Sequence, residues 1–267
     1  MNEIWNTIIL TPMVNVLIWI YNILFHNFGL AVILFTVLIR LITYPLTAQQ
    51  MKSQAKMQEL NASNKMKDIQ KKYKDDKQKQ QEATMALYKE MGINPLGGCL
   101  PLLIQFPIMI GLYQSISLAL AQAPIQLLNL KQSIAAFLPA AALIPLNSQF
   151  LWLDLALPES QTPIFGFLIP GINIGIPILT IIVVVTTWLQ SKIMTPASTN
   201  PNDQSSAMAR QMNLFMPLMM GWISWTLSSG LALYFIVSNL LGIAQYAFLG
   251  KVNWANLLPR AKPAKAK

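Results

Sequence analysis

The sequence predicts an all-α integral membrane protein, and three observations carry the prediction. Hydrophobic residues fill 54% of its 267 positions, charged residues fill 11%, and the mean hydropathy is +0.45, an excess that no soluble core requires. Five segments, about 28–49, 95–120, 172–190, 212–228 and 231–249, are long and apolar enough to span a bilayer. The basic residues between them fall almost wholly on one side.

Residues 1–27 come first. "MNEIWNTIIL" has no Lys or Arg and carries Glu3, so it does not read as a cleavable signal peptide. Further on, Thr11, Asn15, Asn22 and His26 fall within about 60° of one another at helical spacing. That stripe predicts an extracytoplasmic amphipathic helix lying along the membrane interface, with the rest of its surface in lipid. His26 is read as one polar residue on that face.

The first span holds "AVILFTVLIRLITYPL", with Arg40 about ten apolar or hydroxyl residues from either side. A charge at that depth costs about 2.5 to 3.5 kcal/mol on insertion scales. Thr36, Thr43, Tyr44 and Thr47 share its helical face, so the arginine sits on a polar stripe. Gln105 places an amide in the second span between Pro101 and Pro107. Asn173, Thr180, Thr187 and Ser191 share a face of the third; Asn213 and Ser224 share one of the fourth; Tyr234, Ser238 and Gln245 share one of the fifth. Converging, these faces predict a hydrophilic groove that water enters. The alternative for each Ser or Thr is a bond to its own backbone or to a neighbouring helix.

Between the first two spans, residues 50–92 have no Pro and no Gly before Gly92 and are rich in Lys, Gln, Glu and Ala, which favours helix. With a turn at "KDDKQ" (74–78), this predicts a cytoplasmic helical hairpin. Its ten lysines against six acids suit anionic headgroups or ribosomal RNA, or merely keep a loop on one side. Loop 121–171 contains "IAAFLPAAALIPL" (134–146), which is short and carries Pro139 and Pro145; it reads as an interfacial loop. "GINIG" at 171–175 matches GxxxG, weak evidence on its own for helix pairing. The fourth and fifth spans are short, which predicts local thinning of the bilayer. Residues 251–267 form a basic tail with no predicted structure.

Seventeen of the 19 basic residues lie in the hairpin, in the connection between the third and fourth spans, or after position 250; Lys131 lies on the other side and Arg40 within. The N-terminus is therefore expected outside and the C-terminus in the cytoplasm. Cys99 and His26 are the only residues of their kinds, which removes an internal disulfide, the common zinc sites and a histidine triad. There is no GxxxxGK[ST] loop and no acidic residue in any span. No catalytic residue, metal or cofactor is expected, and Arg40 is left for a group from outside the chain.

"RLITYPLT" (40–47), "KMQ" in the charged hairpin, "NPLGGCLPLLIQFPI" (94–108), "FLWLDLALP" (150–158) and "SSGLALYFIVSNLLGIAQ" (228–245) together resemble the YidC/Oxa/Alb family of membrane protein insertases, over about residues 28–250. The resemblance implies a five-helix core whose groove opens to cytoplasm and lipid and closes on the outer side. A positive groove would draw in the acidic translocated part of a short client while the client's apolar span leaves along exposed helices. Arg40 matches the family's groove arginine, Thr36 its threonine, Tyr44 the tyrosine of the "YPL" element, Gln190 the third-span glutamine and Tyr234 the first tyrosine of a fifth-span pair. Phe235 stands where many members carry the second tyrosine.

The resemblance further implies a minimal bacterial form in the plasma membrane, working as a monomer. Its partners would be nascent membrane proteins with short translocated segments, the Sec translocon, ribosome and signal-recognition machinery at the hairpin and tail, and anionic lipids. The competing reading is an anion-selective channel or secondary transporter, which an internal repeat would favour. A scaffold whose hairpin docks a partner would leave Arg40 unexplained.

Overall fold

A computed structural model describes residues 2–74, 76–93, 100–120, 130, 134, 146–161, 177–194 and 204–249. The chain begins with α1 (Asn2–Trp5), a π-helical turn (Asn6–Leu10) and α2 (Thr11–Ile23), continuous with one another. Pro12 lacks an N–H and its ring crowds the carbonyl four residues earlier; the wider winding just before it relieves both. Two residues with positive φ, Phe25 (53°) and His26 (59°), then reverse the chain. The Asn27 side chain accepts from the Leu30 N–H at 3.0 Å and caps α3 (Phe28–Ile42).

This N-terminal helix corrects two expectations. It ends at Ile23, so His26 stands in the turn and not on the stripe of Thr11, Asn15 and Asn22. Nor is the rest of its surface left to lipid: Val14, Leu17, Ile18, Ile20 and Tyr21 are buried, packed with Phe28, Val32 and Leu112 in the main core. A separate apolar ridge, including Ile8, Val16, Trp19 and Ile23, stays exposed.

α3 is shorter than the segment 28–49. It stops at Ile42, and α4 (Tyr44–Ala62) leaves at a 63° bend. Pro45 is the cause: it cannot donate to the previous turn, and it disfavours helical geometry at the residue before it. Arg40 therefore lies in the last turn of α3, not in the middle of a straight span.

Beyond the bend, Ser63 breaks α4 from α5 (Asn64–Lys72), and α6 (Lys77–Glu90) returns. Tyr73 and Lys74 turn out of α5, and Asp76 caps α6 by accepting from the Lys79 N–H at 3.1 Å, which puts Lys77 and Gln78 in the helix and not in the turn. Leu60, Met66, Leu87, Tyr88 and Ile93 form a small core of their own, and the Tyr88 hydroxyl donates to Asn61 Oδ1 at 2.8 Å.

The remaining elements are α7 (Leu100–Ala119), a two-stranded ribbon of β1 (Gln149–Phe150) and β2 (Leu153–Asp154), a 3-10 turn at Glu159–Gln161, α8 (Ile178–Met194), α9 (Gln204–Thr226) and α10 (Ser229–Phe248). α8 packs along α9 and α10, and α10 along α3. Gly29 admits the Phe150 ring, which would lie 2.1 Å from any Cβ placed there. Outward, α8 and α9 present Ile181, Val185, Phe215, Leu218 and Trp222, the last 69% exposed; such faces suit lipid.

Among the described residues, Glu3–Ile23 and Ser229–Phe248 are single helices long and apolar enough to cross a membrane, and the bent α3–α4 pair qualifies if taken as one span. The expectations for 135–145, for Asn173, for "GINIG" and for the tail 251–267 fall outside the described residues.

Candidate functional site

The spacing of α10 builds the site. Tyr234, Ser238, Gly242 and Gln245 recur every three or four residues and form one ridge, laid against the end of α3. Arg40 reaches it with three hydrogen bonds. Its Nε donates to Ser238 Oγ at 3.1 Å, and Nη2 donates to Ser238 Oγ at 2.5 Å and to the Ser238 carbonyl at 2.8 Å. Gln245 Nε2 donates to the Arg40 carbonyl at 3.4 Å. One turn earlier on α10, the buried Tyr234 hydroxyl accepts from Gln105 Nε2 of α7 at 2.7 Å.

Gly242 admits Gln190. A Cβ there would stand 2.5 Å from Gln190 Nε2 and 3.7 Å from Arg40 Nη2, so the missing side chain leaves room for the amide and the guanidinium together. Next to them, Asn239 Nδ2 donates to Thr186 Oγ1 at 3.1 Å and Thr187 Oγ1 at 2.8 Å, and Ser191 donates to Asn213 at 2.5 Å. Polar groups of α3, α7 and α8 thus meet the ridge of α10 between Tyr234 and Gln245, and the Ser191–Asn213 pair ties α9 to α8.

Arg40, Gln105, Gln190 and Tyr234 come together. Thr36 is fully buried and donates to the Val32 carbonyl at 2.6 Å, so its hydroxyl serves its own helix. Thr43 does the same with Ile39 at 2.8 Å. Tyr44 lies past the bend, 39% exposed, and is not joined to the Arg40 cluster. Asn239 was missed by sequence reasoning, although its spacing one residue after Ser238 puts it on the face toward α8.

The charge balance of the cluster is one-sided. Among the described residues the ion pairs are Lys65–Glu90 and Lys79–Asp76, both in the hairpin, and every partner of Arg40 named above is neutral. Neutral oxygens of Ser238 engage Nε and Nη2 without cancelling the charge. The cluster can therefore hold an anion, and among its described residues no nucleophile is bonded to a general base. Among the described residues no group of three metal-ligating side chains occurs.

The opposite end of the bundle is built differently. Glu159, 1% exposed, accepts from the Leu179 N–H at 2.6 Å, the Thr180 N–H at 2.8 Å and Thr180 Oγ1 at 2.8 Å, capping α8 from about 20 residues upstream. The segment before Glu159 ties the α9–α10 turn: Ser229 N–H and Oγ both donate to the Leu157 carbonyl at 2.9 Å, and Gly230 N–H donates to Leu155 at 3.1 Å. Sequence reasoning missed this cap, because a helix-capping residue is ordinarily sought one position before its helix.

Comparison with known proteins gives the family. The family model described as 60Kd inner membrane protein matches residues 19–255. The chain is 34% identical over 247 residues to a protein of Syntrophobacter fumaroxidans, covering 92% of this chain and 38% of that one. It is 34% identical over 252 residues to one of Leptospira interrogans, at 92% and 35% coverage. A protein of Prosthecochloris aestuarii is 36% identical over 241 residues, at 90% and 36%. All three are named membrane protein insertase YidC, and the chain spans little more than a third of their lengths. By the residues it shares with them and the extent of the family match, this chain belongs to the YidC/Oxa/Alb family.

Proposed function

We propose that this chain is a membrane protein insertase, receiving the acidic translocated part of a nascent membrane protein beside Arg40 and releasing its apolar span into lipid. The observation that carries this is the half-buried arginine held by neutral partners where α3, α7, α8 and α10 meet. An anion beside Arg40 gains about 1 kcal/mol at 4 Å in water and several times that where water is partly excluded. Burial of the client's own apolar span, at about 25 cal/mol per Å², offsets the remaining desolvation without nucleotide.

In this reading the Arg40 end opens to the cytoplasm, with the hairpin and the C-terminus on that side and the N-terminus outside, in the plasma membrane of a bacterium. The five spans are those around α3, α7, α8, α9 and α10. The N-terminal helix lies at the outer interface although its length would let it cross. Two contacts support this. Trp5 bonds Gln114, and Tyr21, 16 residues on, bonds Asn147; these points are about 24 Å apart along a helix. Both partners nevertheless belong to the Glu159 end, where Ile116 touches Gly230. The hairpin lysines meet anionic headgroups, ribosome or signal-recognition machinery, and the Sec translocon is a partner for larger clients.

The test is insertion of a ribosome-synthesised, single-span client with an acidic N-terminal tail into liposomes holding only this protein, scored by protease protection. Protection is expected for wild type and Arg40→Lys and is lost with Arg40→Ala. Equal protection in all three would remove the charge from the mechanism, and none in wild type would favour the channel reading or a required partner.

A further inference from the structure

We propose that the cavity between the N-terminal helix and α7 is a binding site for the phosphate and glycerol backbone of one membrane phospholipid. The cavity is a groove open along one side, with a volume of about 340 Å³, lined by Trp5, Asn6, Leu10, Gln114 and Leu118, of which Asn6 is exposed and Gln114 half-buried.

Its polar groups are oriented by chemistry. An indole N–H only donates, so the 2.7 Å bond from Trp5 Nε1 must end on the amide oxygen of Gln114. That fixes the amide and turns its two N–H donors away from the indole. Neither Gln114 Nε2 nor the Asn6 side chain has a hydrogen-bond partner among the described residues. Asn6 opens the π-helical turn, and single π turns within α-helices recur at functional sites. Close approach is secured by Gly111, where a Cβ would stand 2.8 Å from Met13 Sδ and 2.9 Å from Ile9 Cγ2.

Depth and chemistry select the occupant. The cavity lies near Ile116, which touches the α9–α10 turn at Gly230, so it sits where the membrane helices end. Tryptophan marks the headgroup level of membrane proteins. A ligand there accepts from the fixed Gln114 amide, can accept from Asn6 as well, and rests acyl carbons on Leu10 and Leu118, which describes a glycerophospholipid. With no basic residue in the lining, the site takes zwitterionic and anionic lipids alike. The inference rests on the N-terminal helix lying at the interface and not on insertase activity, so lipid retention and client insertion fail separately.

Full-length protein purified from liposomes of phosphatidylethanolamine and phosphatidylglycerol is exchanged into lipid-free detergent, and retained phospholipid is counted by native mass spectrometry. Wild type is expected to keep one tightly held lipid. Gln114→Glu preserves the acceptor for Trp5 but replaces both donors with a negative oxygen, and retention should fall about tenfold. Asn6→Asp should weaken it and Asn6→Lys strengthen it, with melting temperatures within a few degrees of wild type. Retention unchanged across this charge series overturns the proposal. So does release of the lipid by an equal concentration of soluble glycerol 3-phosphate, which would make the acyl walls irrelevant.

Discussion

The two ends of the bundle solve opposite problems with similar atoms. At one end a cation, Arg40, is held by Ser238 and lies near Gln190, with no opposite charge beside it among the described residues. At the other an anion, Glu159, is sealed beneath a helix N-terminus by two backbone N–H groups and a hydroxyl. The helix dipole and these donors satisfy the carboxylate internally. Polar atoms alone therefore do not make a site. What separates the two ends is whether the charge is used up by the fold.

Breaking the sealed end should cost most. Glu159→Ala leaves two buried N–H groups and a hydroxyl without their acceptor, each costing about 1 to 3 kcal/mol. A drop of about 3 to 5 kcal/mol in unfolding free energy is expected, read by thermal denaturation in detergent, with Glu159→Gln intermediate because it keeps one acceptor oxygen. Gly29→Ala comes next. Its Cβ would fall 2.1 Å from the Phe150 ring, and overpacking of this kind costs about 1 to 3 kcal/mol; loss of the ribbon's protection from proteolysis should accompany it.

Gly242→Ala sharpens the comparison from the other side. The new methyl meets the tip of Gln190, 2.5 Å away, and a flexible side chain can yield. Stability should change by less than about 1 kcal/mol, while client insertion falls because the amide is pushed from Arg40. A substitution that is mild at the Arg40 end and severe at the Glu159 end is the expected asymmetry.

The smallest effect belongs to the hairpin. The bond from the Lys79 N–H, chiefly, holds the Asp76 carboxyl below its ordinary pKa. A depressed carboxylate stabilises the cap fully above its unfolded pKa and loses that contribution as pH falls through the lowered folded value. Fraying of α6 should therefore appear only in strong acid, and Asp76→Asn should abolish that acid step in the circular dichroism of the helices.

Much of this was legible in the residues. The α10 ridge of Tyr234, Ser238 and Gln245 follows from helical spacing, and so does its meeting with Arg40 once a lone intramembrane charge is taken as a demand for partners. The bend after Ile42 was missed, although Pro45 announces it, because apolar composition runs through it without a change. Thr36 shared a face with Arg40 by arithmetic yet bonds Val32, since a hydroxyl in a helix has its own backbone within reach. Glu159 and the Phe150–Gly29 contact depend on chain segments far apart in sequence, and local periodicity carries no record of them.

Paired cysteine accessibility tests the contrast most directly. In a Cys99→Ser background, Ser191→Cys places a thiol at the Arg40 end and Ser224→Cys places one at the Glu159 end, both isosteric changes. Reconstituted in liposomes, Ser191→Cys should react with a water-soluble maleimide from the face that carries the hairpin, and Ser224→Cys should stay unreactive from either face. Equal labelling of the two thiols would contradict an open end around Arg40 and a closed one around Glu159.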